Sequence, residues 1–193
     1  MDKKKRDAIE SIAGEVRRIV MAGNSDNQNL DVYLRSAGVQ VKYTDLSDTQ
    51  IDGYLEWDTE SVKPKIVIDA FEHPHRRVFS IAHELGHLVL HWKWVPTMDE
   101  VNKNSLITQQ SGVVDVAYRR TDGEYTNQEK TRETEANHFA AAFLIPEQDI
   151  IDYIDDEQED GKTGSQIIID IGEKYFVSQE TAGIRYRKAK EFI

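Results

Sequence analysis

The sequence predicts an α+β fold: a small antiparallel sheet of three strands, or slightly more, packed on a central helix bearing His-Glu-x-x-His and on a second, ligand-bearing helix. A C-terminal helix pair closes the chain. Three observations carry this. Apolar residues recur at helical spacing through residues 2–22 and 73–92, and an alanine-rich run of the same kind ends at Pro146. Three short runs of strand character lie between the first two. The tail from residue 165 reads helix, turn, helix.

Taken in order, Ile9, Ile12, Ala13, Val16, Ile19 and Val20 give the first helix one apolar face. "AGNSDNQN" (22–29) breaks it, and "LDVYLRSAG" (30–38) is a short helix stopped by Gly38. The strands are "VQVKYTDL" (39–46), which alternates, "GYLEW" (53–57), and "KIVIDA" (65–70), rich in β-branched residues. Their short connections suggest an antiparallel meander. "HPHRRVFSIAHELGHLVLHW" (73–92) takes Pro74 into its first turn. Val78, Ile81, Leu85, Val89 and Trp92 form one stripe, and Phe79, Gly86 and Leu90 lie beside the histidines on the other side. A helix apolar nearly all round is a buried one.

Residues 93–126 are the least regular, with a strand-like "GVVDVAYRR" and a turn-rich "TDGEYTN". "QEKTRETEANHFAAAFLI" is a second strong helix, stopped by Pro146. "EQDIIDYIDDEQED" is an acidic helix ending at "GKTG". The tail gives "SQIIIDIGEKYF", "VS" and "QETAGIRYRKAKEFI", with Ser178 as N-cap of the last helix. Residues 1–146 are expected to form a core, and 147–193 a helical segment packed on it.

At 193 residues the chain can bury a core of its own. Hydrophobic residues at 39% against 31% charged match an ordinary globular protein. No run approaches the roughly 18–20 apolar residues of a membrane span. The start, "MDKKKRDAIESIAGEV", is basic but has no apolar stretch behind it, so a cytoplasmic protein is expected. The absence of cysteine excludes disulfides, thiolate zinc fingers and a cysteine nucleophile, leaving His, Asp and Glu for any metal. A net charge of −11 argues against a chain that coats nucleic acid, because phosphate binding rests on clustered Lys and Arg.

His83, Glu84 and His87 form the H-E-x-x-H. On a helix, residues four apart share a face, so two imidazoles can address one ion. Glu84 sits about 100° around the axis, where it can reach a water beside the ion without ligating it. Zinc lowers that water's pKa toward ~7, and a carboxylate takes its proton as it attacks a carbonyl. Three fixed positions recur by chance in on the order of one chain in two hundred of this length. The helical context is what strengthens the motif. A core helix with satisfied histidines would have to place a glutamate and three histidines on one side of a buried helix, which is costly unless they are paired or metal-bound.

A third protein ligand is still needed. His91, eight residues after His83 on an uninterrupted helix, fits a supporting or packing role better than a ligand's. In "ETEAN", Glu133 and Asn137 share a helix face with Ala136, Ala140 and Leu144, and the small residues allow close approach to the first helix. Glu133 would complete the site, and Asn137 would accept a hydrogen bond from a ligand histidine. Glu135 is the competing ligand, on the other edge of the same stripe. His138 is expected to point away and be exposed.

With both segments in hand, the chain resembles the ImmA/IrrE family of zinc metallopeptidases. "RRVFSIAHELGHLVLH" (76–91) and "ETEANHFAAAFLIP" (133–146) are similar to that family's two signature segments, and "KYFVSQETAGIRYRK" to the segment that commonly closes such domains. The resemblance implies Zn2+ on His83, His87 and Glu133, with Glu84 as general base. It further implies a site-specific endopeptidase whose substrate is a helix-turn-helix transcriptional repressor encoded nearby. The chain departs from the family pattern in a long segment between the motifs (92–132), which would border the cleft, and in "FLIP" where "LLMP" is commoner.

"VVDVAYRR" could offer an edge for an extended substrate, and Tyr118, Arg119, Tyr125 and Arg185 are candidates for stabilising an oxyanion. Two other functions compete. The tail, with Arg185, Arg187, Lys188 and Lys190 on its last helix, could read DNA, although the acidic chain argues against direct nucleic-acid binding. A non-catalytic zinc protein that docks to a partner is the other, and it has no use for Glu84.

Overall fold

The computed structural model describes residues 1–49, 51–58, 63–96, 126–159, 161–191 and 193. "VVDVAYRR" and the candidates Tyr118, Arg119 and Tyr125 lie outside the described residues.

Asp2 opens helix α1 (Lys3–Met21) by accepting the backbone N–H of Lys5 at 2.8 Å. Ile9, Ala13, Val16 and Val20 on its inner face are buried. The helix stops at Ala22 and Gly23, both with positive φ, and a 3-10 turn at Asn27–Asn29 leads into α2 (Leu30–Ser36). Asn27 is buried and holds this corner to the far end of the chain. Its Nδ2 donates to the carbonyls of Leu144 (3.0 Å) and Tyr175 (2.7 Å), while its Oδ1 accepts from Arg17 at 2.8 Å. Buried polar groups need such partners, and here they tie three elements together.

The sheet has three strands, β1 (Gln40–Thr44), β2 (Gly53–Asp58) and β3 (Lys63–Asp69), in the order β1-β3-β2. The expected antiparallel meander is not formed. β3 runs parallel to β1, with Val41 opposite Ile66, and antiparallel to β2, with Leu55 opposite Ile66. Two features explain the order. Residues 45–52 between β1 and β2 are too many for a tight hairpin, so β2 is free to land elsewhere. Ile66, Val67 and Ile68 are all buried, a continuous apolar run that suits the central strand with both faces covered.

α3 (Pro74–Leu90) lies across this sheet, with Pro74 at its first position and every residue from Ser80 to Leu88 buried. It was expected to be central, and it is. α4 (Asn127–Leu144) packs on its other side. That helix starts at a reciprocal capping pair, in which Thr126 caps Glu129 N–H and the Glu129 carboxylate accepts the Thr126 N–H at 2.7 Å. α5 (Glu147–Glu159), α6 (Gly164–Lys174) and α7 (Gln179–Ala189) follow, and Ser178 caps α7 as the sequence suggests. Among the described residues, no helix is long and apolar enough to cross a membrane.

The C-terminal helices dock on α1 through charge. Arg185, 2% exposed, makes a two-pronged contact with Glu10 at 2.6 and 3.2 Å and donates to the Ile145 carbonyl at 2.6 Å. Lys188 joins the same carboxylate and reaches Glu147 at 3.1 Å. His138 also turns here, with Nε2 3.3 Å from Glu10 Oε1. The expected exposure of His138 is therefore corrected: α1 packs along α4 and Glu10 meets the ring, whose side chain is 15% exposed. Arg185 is likewise removed from the oxyanion candidates, since its guanidinium is spent on Glu10.

This buried cluster sets a pH response. Burial, with Lys188 and Arg185 nearby, holds His138 below its ordinary 6.5 despite the attraction of Glu10. The unfolded chain takes up that proton at higher pH than the folded one, so unfolding becomes easier as pH falls through the window just below 6.5. Burial alone would raise the Glu10 carboxyl, but Arg185 and Lys188 outweigh it and hold it below 4.5, extending the loss into more acid solution. The urea midpoint is expected to fall steadily from pH 7.5 to pH 4. In His138→Gln the part of that fall just below 6.5 flattens. An unchanged slope there would sink the assignment.

Candidate metal centre

α3 carries His83 and His87 one turn apart, both 3% exposed, and their Nε2 atoms approach to 3.0 Å. α4 brings Glu133 to the same point: one carboxylate oxygen lies 3.3 Å from His83 Nε2 and the other 3.2 Å from His87 Nε2. Among the described residues, His83, His87 and Glu133 are the group that could hold a metal ion. Of the two glutamates weighed for that place, Glu133 is there and Glu135 is not.

The partners on the outer side of each ring show why a cation fits. His83 Nδ1 lies 2.9 Å from Asn137 Oδ1, the contact anticipated for that residue. An amide oxygen only accepts, so Nδ1 carries the ring proton and Nε2 presents a bare lone pair. His87 Nδ1 lies 2.9 Å from His91 Nδ1, and His91 Nε2 lies 3.4 Å from Glu135 Oε2. Burial first, and His87 beside it, push His91 down to about 4, so this ring is neutral near pH 7. Two bare nitrogens and an ionised carboxylate thus face one another across 3.0–3.3 Å. Only a positive charge between them makes that stable. Tetrahedral zinc with bonds of about 2.0–2.1 Å spaces its ligands by about 3.3–3.4 Å. The observed spacings of 3.0–3.3 Å lie at or slightly inside that value, so a small outward adjustment would seat such an ion, and two nitrogens with carboxylate oxygen are a donor set that zinc accepts.

Glu84 follows His83 on α3 and is 4% exposed. A side chain on Gly53 would come within 3.8 Å of Glu84 Cγ, which puts the start of β2 beside the carboxylate. Such a side chain would also meet Ile68 Cδ1 at 2.7 Å and the Val67 carbonyl at 2.9 Å. Glycine is what lets the strand lie this close.

Gly86 does the same between the two helices. A Cβ there would meet Phe139 Cδ1 at 3.1 Å and the Cα and carbonyl oxygen of Ala136 at 3.2 Å. The sequence shows Gly86 beside the histidines but gives no sign that it is the point of closest approach. The anchoring of Glu135 by Lys5 was also missed, since its partner lies on α1.

A family model, the IrrE N-terminal-like domain, matches residues 34–110 and 114–187. No curated protein matches the chain. Among solved structures, a Mycobacterium tuberculosis transcriptional regulator is similar at a TM-score of 0.51 and 18% identity. The match covers 95% of this chain but 46% of the regulator, so this chain spans under half that protein's length. At that identity the likeness is one of fold.

Proposed function

Because the chain belongs to the IrrE N-terminal-like domain family, a family of peptidases, we propose that it is a zinc-dependent endopeptidase that cuts a helix-turn-helix transcriptional repressor at a defined bond in the cytoplasm. The observation that carries the enzyme reading is the triangle of His83 Nε2, His87 Nε2 and Glu133, with Glu84 buried next to it and outside the donor set. A purely structural zinc site closes all four positions with ligands and has no use for such a carboxylate. The repressor as substrate rests on the resemblance of the two signature segments. Residues 1–146 form the catalytic core in this proposal, and 147–193 the helical segment beside it.

His83, His87 and Glu133 would hold the ion, and Asn137 fixes the His83 tautomer that allows it. Bound zinc supplies Lewis acidity, making a water acidic and polarising a carbonyl. Glu84 acts as general base, taking the water's proton and later delivering it to the departing amine. Its burial keeps bulk water from competing for that proton. The DNA-reading alternative loses ground because Arg185 and Lys188, two of the four cations it needs, are engaged with Glu10.

The test is to incubate the zinc-loaded protein with the repressor-like protein encoded nearest its gene and to weigh the products intact. Cleavage at one bond, absent in Glu84→Gln, supports the proposal. Tight binding with no cleavage would instead favour the non-catalytic docking protein.

A further inference from the structure

The two ligand histidines are held from behind by different devices. Asn137, a single amide on α4, serves His83. His87 is served by a chain of three groups that ends on another helix: His87 Nδ1 to His91 Nδ1 at 2.9 Å, His91 Nε2 to Glu135 Oε2 at 3.4 Å, and Glu135 to Lys5 of α1. The direction of every link is dictated from the far end. An ionised carboxylate only accepts, so His91 must present Nε2–H to Glu135. A neutral imidazole has one proton, which leaves His91 Nδ1 bare. His87 must then donate from Nδ1, and its Nε2 is left bare toward His83 and Glu133. Reversing any link would put a proton where the cation belongs.

We propose that His91 is a positioning residue for metal binding, fixing the tautomer and ring orientation of His87 through a relay that Glu135 directs and Lys5 anchors. The proposal rests on the reading of His83, His87 and Glu133 as metal ligands. Burial supports it: the side chains of His91 and Glu135 are both 11% exposed, so water competes poorly for their hydrogen bonds. The link to Glu135 is the longest, and Lys5 is the half-exposed end, with 48% of its side chain open to solvent. The effect of a substitution should therefore decline along the chain from His91 to Lys5.

The probe is zinc itself, measured by competition with a chromophoric chelator. It is accompanied by the visible spectrum of the cobalt-substituted protein and by thermal melting of the metal-free protein. His91→Phe keeps a ring but no polar atom, and is expected to weaken zinc binding about 10–100-fold and to change the cobalt bands. The metal-free melting point should stay near that of the wild type. His91→Gln, which can accept at one atom and donate at another, should recover most of the affinity, a rescue that a packing role would not give. Should His91→Phe fail to fold, Glu135→Met tests the same relay one step out, with a smaller loss in the same direction. Zinc affinity and cobalt bands unchanged in His91→Phe, or in Glu135→Met where that variant stands in, would overturn the relay. A wild type that binds no zinc, or a Glu133→Ala variant that binds it equally well, would overturn the ligand assignment beneath it, a different result from the first.

Discussion

Glu84→Gln is expected to bind zinc as the wild type does and to hydrolyse its substrate about 1,000-fold more slowly, within the range that general acid–base catalysis contributes. The amide has the same shape, and the pocket formed by α3 and the start of β2 should accept it without rearrangement. Glu84 belongs to no edge of the histidine–carboxylate triangle, so the affinity for the ion should not change. What is lost is basicity alone: an amide oxygen does not take a proton from water near pH 7. The check is paired, with zinc stoichiometry by mass spectrometry and cleavage rate on the same sample. A variant that still cleaves at the wild-type rate would rule out Glu84 as the base. A variant that sheds its zinc would mean that Glu84 supports the site rather than works beside it.

The parts of the site that the sequence made legible are those written within one helix. His83 and His87 share a face because four residues make about one turn, and Glu133 and Asn137 share one for the same reason. Joining the two pairs required only that the helices touch, which the alanines of α4 suggested. What escaped depends on partners far along the chain. Glu10 neutralises Arg185 across nearly the whole sequence, so a tail with four cations looked more available for DNA than it is. The same carboxylate draws in His138. Strand order escaped for a related reason: local alternation identifies strands but not neighbours. The apolar run Ile66-Val67-Ile68 was the available sign that the third strand would sit in the middle.

Gly86→Val is expected to lower stability by about 2 kcal/mol and zinc affinity by at least about tenfold, although it removes no polar atom. Two effects oppose. Valine is a better helix former than glycine by a few tenths of a kcal/mol, while overfilling a packed contact costs about 1–3 kcal/mol. Overfilling wins because two of the three nearest atoms are backbone of Ala136, which cannot swing aside as a side-chain tip can. α4 must therefore shift from α3. Ala136 lies in the turn between Glu133 and Asn137, so the shift falls where the third ligand and the partner of His83 are attached. The histidines stay behind on α3, and the 3.2–3.3 Å spacings to Glu133 open. Glu133→Ala is the reference, expected to cost at least about 100-fold in zinc affinity, the upper end of what removing an outer partner does. Its metal-free stability should change little or rise, because the like lone pairs lose a neighbouring anion. The two variants then separate ligand chemistry from helix spacing: both bind zinc weakly, but only Gly86→Val melts early without metal. If Gly86→Val instead binds zinc as tightly as the wild type, the distance between α3 and α4 does not set the geometry of the site, and Glu133 must reach the histidines by side-chain adjustment alone.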